Sequence, residues 1–112
     1  MADASTFTVL TEQTFTPERT RPLVEEACRL AGLDPAGAVI LRHHTSAVYQ
    51  LTAAPVVVKV ARPSQTNVSD VVALVGWATE QGIPTVRLLD DVHQPIELAG
   101  CAVTLWHYLP QT

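Results

Sequence analysis

One lysine interrupts an otherwise apolar run, Pro55-Val56-Val57-Val58-Lys59-Val60-Ala61. An unpaired ammonium is costly to bury. Lys59 therefore calls for an anion, either a protein carboxylate or a ligand phosphate, unless its stem lies on the sheet while its head reaches water. Other groups able to do chemistry are few. His43 and His44 are adjacent, the hydroxyls of Thr45 and Ser46 follow them, and the acids Asp70, Glu80, Asp90 and Asp91 are scattered. Adjacent side chains on a strand point oppositely, and no acid or cysteine is spaced to join the two histidines, so the pair does not read as a metal site. Asp90 and Asp91 fall in a turn far along the chain from Lys59 and suit capping of that turn. Cys28 and Cys101 lie in unrelated segments without CxxC spacing and read as small buried apolar residues of a reducing, cytoplasmic compartment.

These residues must be held by recognisable elements. The β-branched run around Lys59 predicts a buried strand, with Val56, Val58 and Val60 on one face and Val57, Lys59 and Ala61 on the other. Before it come Val39-Ile40-Leu41, the polar break Arg42 to Ser46, the strand Ala47 to Leu51, and the short turn Thr52 to Pro55. Such short connections predict antiparallel hairpins. Thr16-Pro17-Glu18 starts a helix, the recurrence of Leu23, Val24, Ala27, Leu30 and Ala31 continues it, and Gly32 stops it. A second helix begins with Asn67 or Ser69 as cap and runs to about Gln81, where Gly82 and Ile83-Pro84 end it. Thr85 to Leu89 reads as a fourth strand, Asp90 to Pro95 as a turn, and Ala102 to Trp106 as a fifth strand. The order predicts an α+β fold: an antiparallel sheet of about five strands, one helix inserted after the third, and an extra N-terminal helix. Residues 1–15 are polar and read as a loose arm, with one short strand around Phe7 to Leu10; residues 16–112 form the domain.

In this order the elements resemble the small N-terminal lobe of a kinase-like fold, and more closely the aminoglycoside phosphotransferase family of small-molecule kinases. The residues that carry the resemblance are Val57-Val58-Lys59, the helix with Trp77 followed by Gly82-Ile83-Pro84, and Val103-Thr104-Leu105-Trp106 before Tyr108-Leu109-Pro110. It covers roughly residues 37–110 and rests on several weak motifs in sequence. The resemblance implies ATP as cofactor, with Lys59 on the nucleotide phosphates. It places Val57 against adenine, with Val48 on the neighbouring strand as the other half of the apolar clamp. Trp106 and Tyr108 become hinge residues that act through backbone C=O and N–H. A nucleotide-binding lobe of an ATP-dependent phosphotransferase is the function it implies; a non-catalytic interaction module or truncated gene product that keeps the lobe fold is the alternative.

The departures from that pattern are specific. Where protein kinases have G-x-G-x-x-G, this chain has His43-His44-Thr45-Ser46-Ala47 without glycine, leaving the hydroxyls of Thr45 and Ser46 as phosphate donors. The carboxylate partner of the lysine belongs near position 71, which is valine; Asp70 is the nearest acid, about 100° around the helix axis, and the nucleotide itself is the other candidate anion. No histidine is followed two residues later by aspartate, so the H-x-D catalytic loop and the magnesium-holding acids of the large lobe are missing. The chain by itself is not expected to transfer phosphate, and magnesium is expected only with a C-terminal lobe on the same or another chain.

Composition sets outer bounds. The chain has 112 residues, enough for one small core, with 47% apolar and 16% charged residues. A net charge of −4 with no basic run argues against nucleic acid as a partner. Met1 to Thr8 lacks the basic and apolar regions of a signal peptide, and no run of about 18 apolar residues suggests a membrane span.

Overall fold

A computed structural model describes residues 9–90 and 92–108. Its elements are α1 (Pro17–Ala31), β1 (Val39–His43), β2 (Ser46–Gln50), β3 (Val56–Ala61), α2 (Val68–Glu80), β4 (Ile96–Leu98) and β5 (Cys101–His107). The strands form one antiparallel sheet in the order β1-β2-β3-β5-β4, so the fold is α+β with a helix inserted after the third strand. The lysine strand is central, and β5 is its direct neighbour.

Alternation decides which sheet face is core. Val56, Val58 and Val60 join Ala47, Tyr49, Val103 and Leu105 beneath α1, which contributes Leu23, Val24, Ala27 and Cys28. The spacing of those α1 residues is one helical stripe. Pro17 opens the helix, and Gly32 closes it at φ 73° with the Leu33 N–H returning to the Cys28 carbonyl at 2.8 Å. α2 closes in the same way, the Ile83 N–H reaching the Ala78 carbonyl at 2.9 Å after Gly82 at φ 74°. No described helix is long and apolar enough to cross a membrane.

Two expectations change. The arm is not loose where it is described. Leu10 and Phe15 are core residues, and the Leu10 N–H donates to the Ala99 carbonyl at 2.9 Å. Val9 and Leu10 are not in a strand; Phe7 and Thr8 lie outside the described residues. The fourth strand is also not Thr85 to Leu89 but Ile96–Leu98. Around Leu88 only a single bridge to Trp106 forms, flanked by Leu89 N–H to Leu105 C=O (3.0 Å) and His107 N–H to Arg87 C=O (2.8 Å). The cause is Gln94. Its amide oxygen accepts the Leu105 N–H at 2.7 Å, and its nitrogen donates to the Leu105 and Leu89 carbonyls. A side chain takes the place of the strand partner there, so the outer edge of β5 is shared between β4, Gln94 and the 87–89 segment.

Candidate functional site

The face away from α1 carries the candidate chemistry. Residues directly opposite one another in antiparallel strands share a face. Val48, Lys59 and Thr104 therefore form one row across β2, β3 and β5, and Gln50, Val57 and Trp106 form the next. Lys59 is exposed and lines a cleft of about 170 Å³. Its other walls are Ala61, Thr104 and Trp106 from the sheet, Gln65 and Asn67 from the β3–α2 loop, and Val68, Val71 and Val72 from α2. Lys59 thus lies on the side of the sheet that α2 flanks.

Val48 is buried and Val57 half-buried on the same face, but neither lines that cleft; they form an apolar strip beside it. Thr45 is exposed at the tip of the β1–β2 turn, while Ser46 is buried opposite Ala61. Asp70 does not pair with Lys59. Helix positions 68, 71 and 72 face the cleft, and the residue at 70 is turned out of it, exposed to solvent. Ion pairs among the described residues join Glu26 to Arg29 and Glu12 to Arg62; Lys59 is in neither, and its exposed head reaches water.

The hinge residues act differently from one another. Trp106 lies along the sheet, its indole N–H donating to Thr104 Oγ1 at 2.8 Å, so its ring becomes part of the cleft wall. The Tyr108 N–H donates to the Pro55 carbonyl at 2.8 Å, which sets the alternation of the β3–β5 ladder. By that alternation Trp106 is in a hydrogen-bonded pair with Val57, and both its backbone groups are engaged. Pro55 has no N–H to return, so the Tyr108 carbonyl meets no donor among the described residues. Of the groups expected at the hinge, the Tyr108 N–H is engaged and its carbonyl has no donor among the described residues. Leu109 and Pro110 lie outside the described residues.

The histidine pair separates. His43 faces α1, where Nε2 meets Thr20 Oγ1 at 3.1 Å and the ring packs 4.9 Å from Phe15. Thr20 Oγ1 also lies 2.7 Å from the Tyr49 hydroxyl. Burial holds the His43 pKa below its ordinary value, helped by the positive charges of Arg62 and His44 and opposed by its own carbonyl and Glu18. This histidine is a structural group, not a ligand turned toward the cleft.

Sequence reasoning missed Thr104, which lies opposite Lys59 and orients Trp106, and Arg62, which ties the β1–β2 turn to the N-terminal segment. Parity with Lys59 across the sheet would have found Thr104; nothing local marks Arg62. No family model, curated protein or solved structure matches this chain.

Proposed function

We propose that this chain is the nucleotide-binding lobe of an ATP-dependent small-molecule phosphotransferase similar to the aminoglycoside phosphotransferases. The observation that carries the reading is the placement of Lys59. It lies on the α2-flanked face, beside the apolar strip of Val48 and Val57 and next to the strand that leads to the Tyr108 carbonyl, which meets no donor among the described residues. Adenine on the valines would find an acceptor for its exocyclic amine at Tyr108, and the phosphates would meet an ammonium without a protein carboxylate. Magnesium does not fit the cleft as built, because no carboxylate of the described residues lines it. Metal and acceptor would be held by a C-terminal kinase-like lobe, on this or another chain.

Size supports a half-site. Pockets that bury a drug-sized ligand occupy about 300–1,000 Å³, and the cleft at Lys59 is about 170 Å³. A second reading is favoured by α2, which leaves Val71, Leu74 and Trp77 40–62% exposed. A lobe kept as a non-catalytic interaction module would use such a surface. A cytoplasmic setting goes with the phosphotransferase reading.

An NMR titration of the chain with ATP separates the readings. The expected outcome is weak, roughly millimolar binding, since losing two charge-assisted contacts of about 1.5–3 kcal/mol each weakens a micromolar site by about two to four orders of magnitude. Shifts should cluster at Val48, Val57 and residues 105–108, weaken in Lys59→Ala, and barely respond to magnesium. Saturable shifts clustered away from this sheet face and the β1–β2 turn, or tight magnesium-dependent binding, would refute the assignment.

A further inference from the structure

The β1–β2 turn contains no glycine, and its shape is set from outside by Arg62, the residue after β3. The Arg62 Nε–H donates to the His44 carbonyl at the turn. Nη1 donates to both the backbone carbonyl and the carboxylate Oε1 of Glu12, each at 3.3 Å. The guanidinium carbon sits 4.6 Å from the centre of the Phe15 ring. The other Glu12 oxygen accepts the Ser64 N–H at 3.0 Å, so the arm, the turn and the start of the β3–α2 loop are tied through one guanidinium. The His44 N–H is meanwhile bound to the Ser46 carbonyl at 3.1 Å. Both backbone groups of His44 are therefore fixed. Thr45 is left exposed at the tip, with no partner for its N–H or hydroxyl among the described residues.

We infer that Arg62 is a positioning residue for anion recognition by this turn. It clamps the His44 carbonyl so that Thr45 presents its N–H and hydroxyl to the terminal phosphates of a nucleotide seated at Lys59. The inference rests on the nucleotide reading above and adds to it the group that replaces glycine-rich backbone as the source of a fixed turn. A planar guanidinium suits this work because its donors leave in fixed directions, which an ammonium cannot copy. Hydrogen bonding from Ser64 first, and from Arg62 after it, holds the Glu12 carboxyl below its ordinary range, so the anion that anchors the clamp stays charged.

The test compares adenosine with ATP by ¹⁵N NMR on the full chain. In the wild type, adenosine should move Val48 and Val57, and ATP should move Thr45 and Ser46 in addition. Arg62→Gln should lose the ATP-specific shifts and bind ATP about tenfold more weakly, the equivalent of about 1.4 kcal/mol, with adenosine shifts unchanged. Arg62→Lys should behave like Arg62→Gln; a wild-type response from the lysine variant would mean that charge alone suffices, and would overturn the positioning role. Glu12→Gln loosens the clamp from its far side and should give a smaller loss in the same direction. It carries the test if Arg62→Gln fails to fold, judged by the Val58 and Val60 methyl signals. An unchanged ATP response in Arg62→Gln, or in Glu12→Gln where that variant carries the test, overturns the role of Arg62 and leaves the nucleotide reading standing. A wild-type chain that responds to neither ligand overturns the nucleotide reading and this inference with it.

Discussion

Replacing Thr20 with valine should cost more than any other single hydroxyl removed from the core. Thr20 and Tyr49 are both fully buried, and the Thr20 hydroxyl stands between the Tyr49 hydroxyl and His43 Nε2. Tyr49 has no other hydrogen-bond partner among the described residues, so we assign its O–H as donor to Thr20, which in turn donates to neutral His43. Valine keeps the shape and removes the relay, leaving the Tyr49 O–H buried without an acceptor and His43 Nε2 without its donor. An orphaned buried polar group costs about 1–3 kcal/mol. His43 is half-buried and water can meet part of its need, so the total should be about 2–4 kcal/mol. Tyr49→Phe removes one hydrogen bond but leaves Thr20 bound to His43, and should cost only about 0.5–1.5 kcal/mol. The double variant has no orphaned tyrosine and should be more stable than the sum of the single effects predicts. Equilibrium urea unfolding near neutral pH measures all three, with an unchanged m-value as the check that only stability moved. If Tyr49→Phe costs as much as Thr20→Val, or the single effects simply add, the relay does not exist as described.

Burial of His43 makes stability depend on pH. Because the folded-state pKa of His43 is depressed, the unfolded chain binds the proton first, so stability is complete above about pH 6.5 and falls as pH drops through the folded value. The urea midpoint should decline from pH 7 toward pH 5 by an amount that His43→Gln removes; an equal decline in that variant would refute the assignment. Burial pushes both Cys28 and Cys101 up to about 11, so the folded chain keeps its thiols protonated where the unfolded chain ionises them. Stability should therefore fall as pH rises from about 9 toward 11, and a thiol reagent at pH 8 should label neither cysteine until urea is added. Rapid labelling of the native chain would contradict their burial.

Strand parity and helical period were enough to place α1, β1 to β3, α2 and β5 in order, and to put Lys59 on the face opposite the core, although Arg42 and His43, read as a polar break, belong to β1 and Ser46 to β2. They failed where the deciding partner is distant in sequence. β4 is only three residues long, and its turn carries Ala99 at φ 54° beside Gly100 at φ 80°. The familiar signal for such a turn is Asn-Gly or Asp-Gly, and alanine rarely adopts that backbone. Leu10 and Phe15 sit among polar neighbours, so no local pattern reveals that the tertiary fold buries them. Asp70 was the nearest acid by number, but the helix turns it out of the cleft. That the Tyr108 carbonyl meets no donor among the described residues depends on a proline that lies opposite it, 53 residues earlier.

The two faces of the sheet are built by different means. Beneath α1 the alternate residues of β2, β3 and β5 interlock with Leu23, Val24, Ala27 and Cys28, and burial of such side chains contributes about 1.5–3 kcal/mol for each large one. On the other face α2 is anchored by one buried side chain, Val75, although apolar residues surround its axis. Packing of that kind cannot fix a helix by itself. The Glu12–Arg62–Ser64 clasp lies just ahead of its first turn, and the Gly82 turn closes its last. Elements with few buried contacts open most easily, and the cleft at Lys59 lies between one such element and a rigid sheet. The fixed wall carries Lys59, Thr104 and Trp106; the adjustable wall carries Val68, Val71 and Val72. In a site divided in this way, α2 is the wall expected to yield first when a ligand larger than about 170 Å³ enters, because the sheet wall is backed by the α1 core.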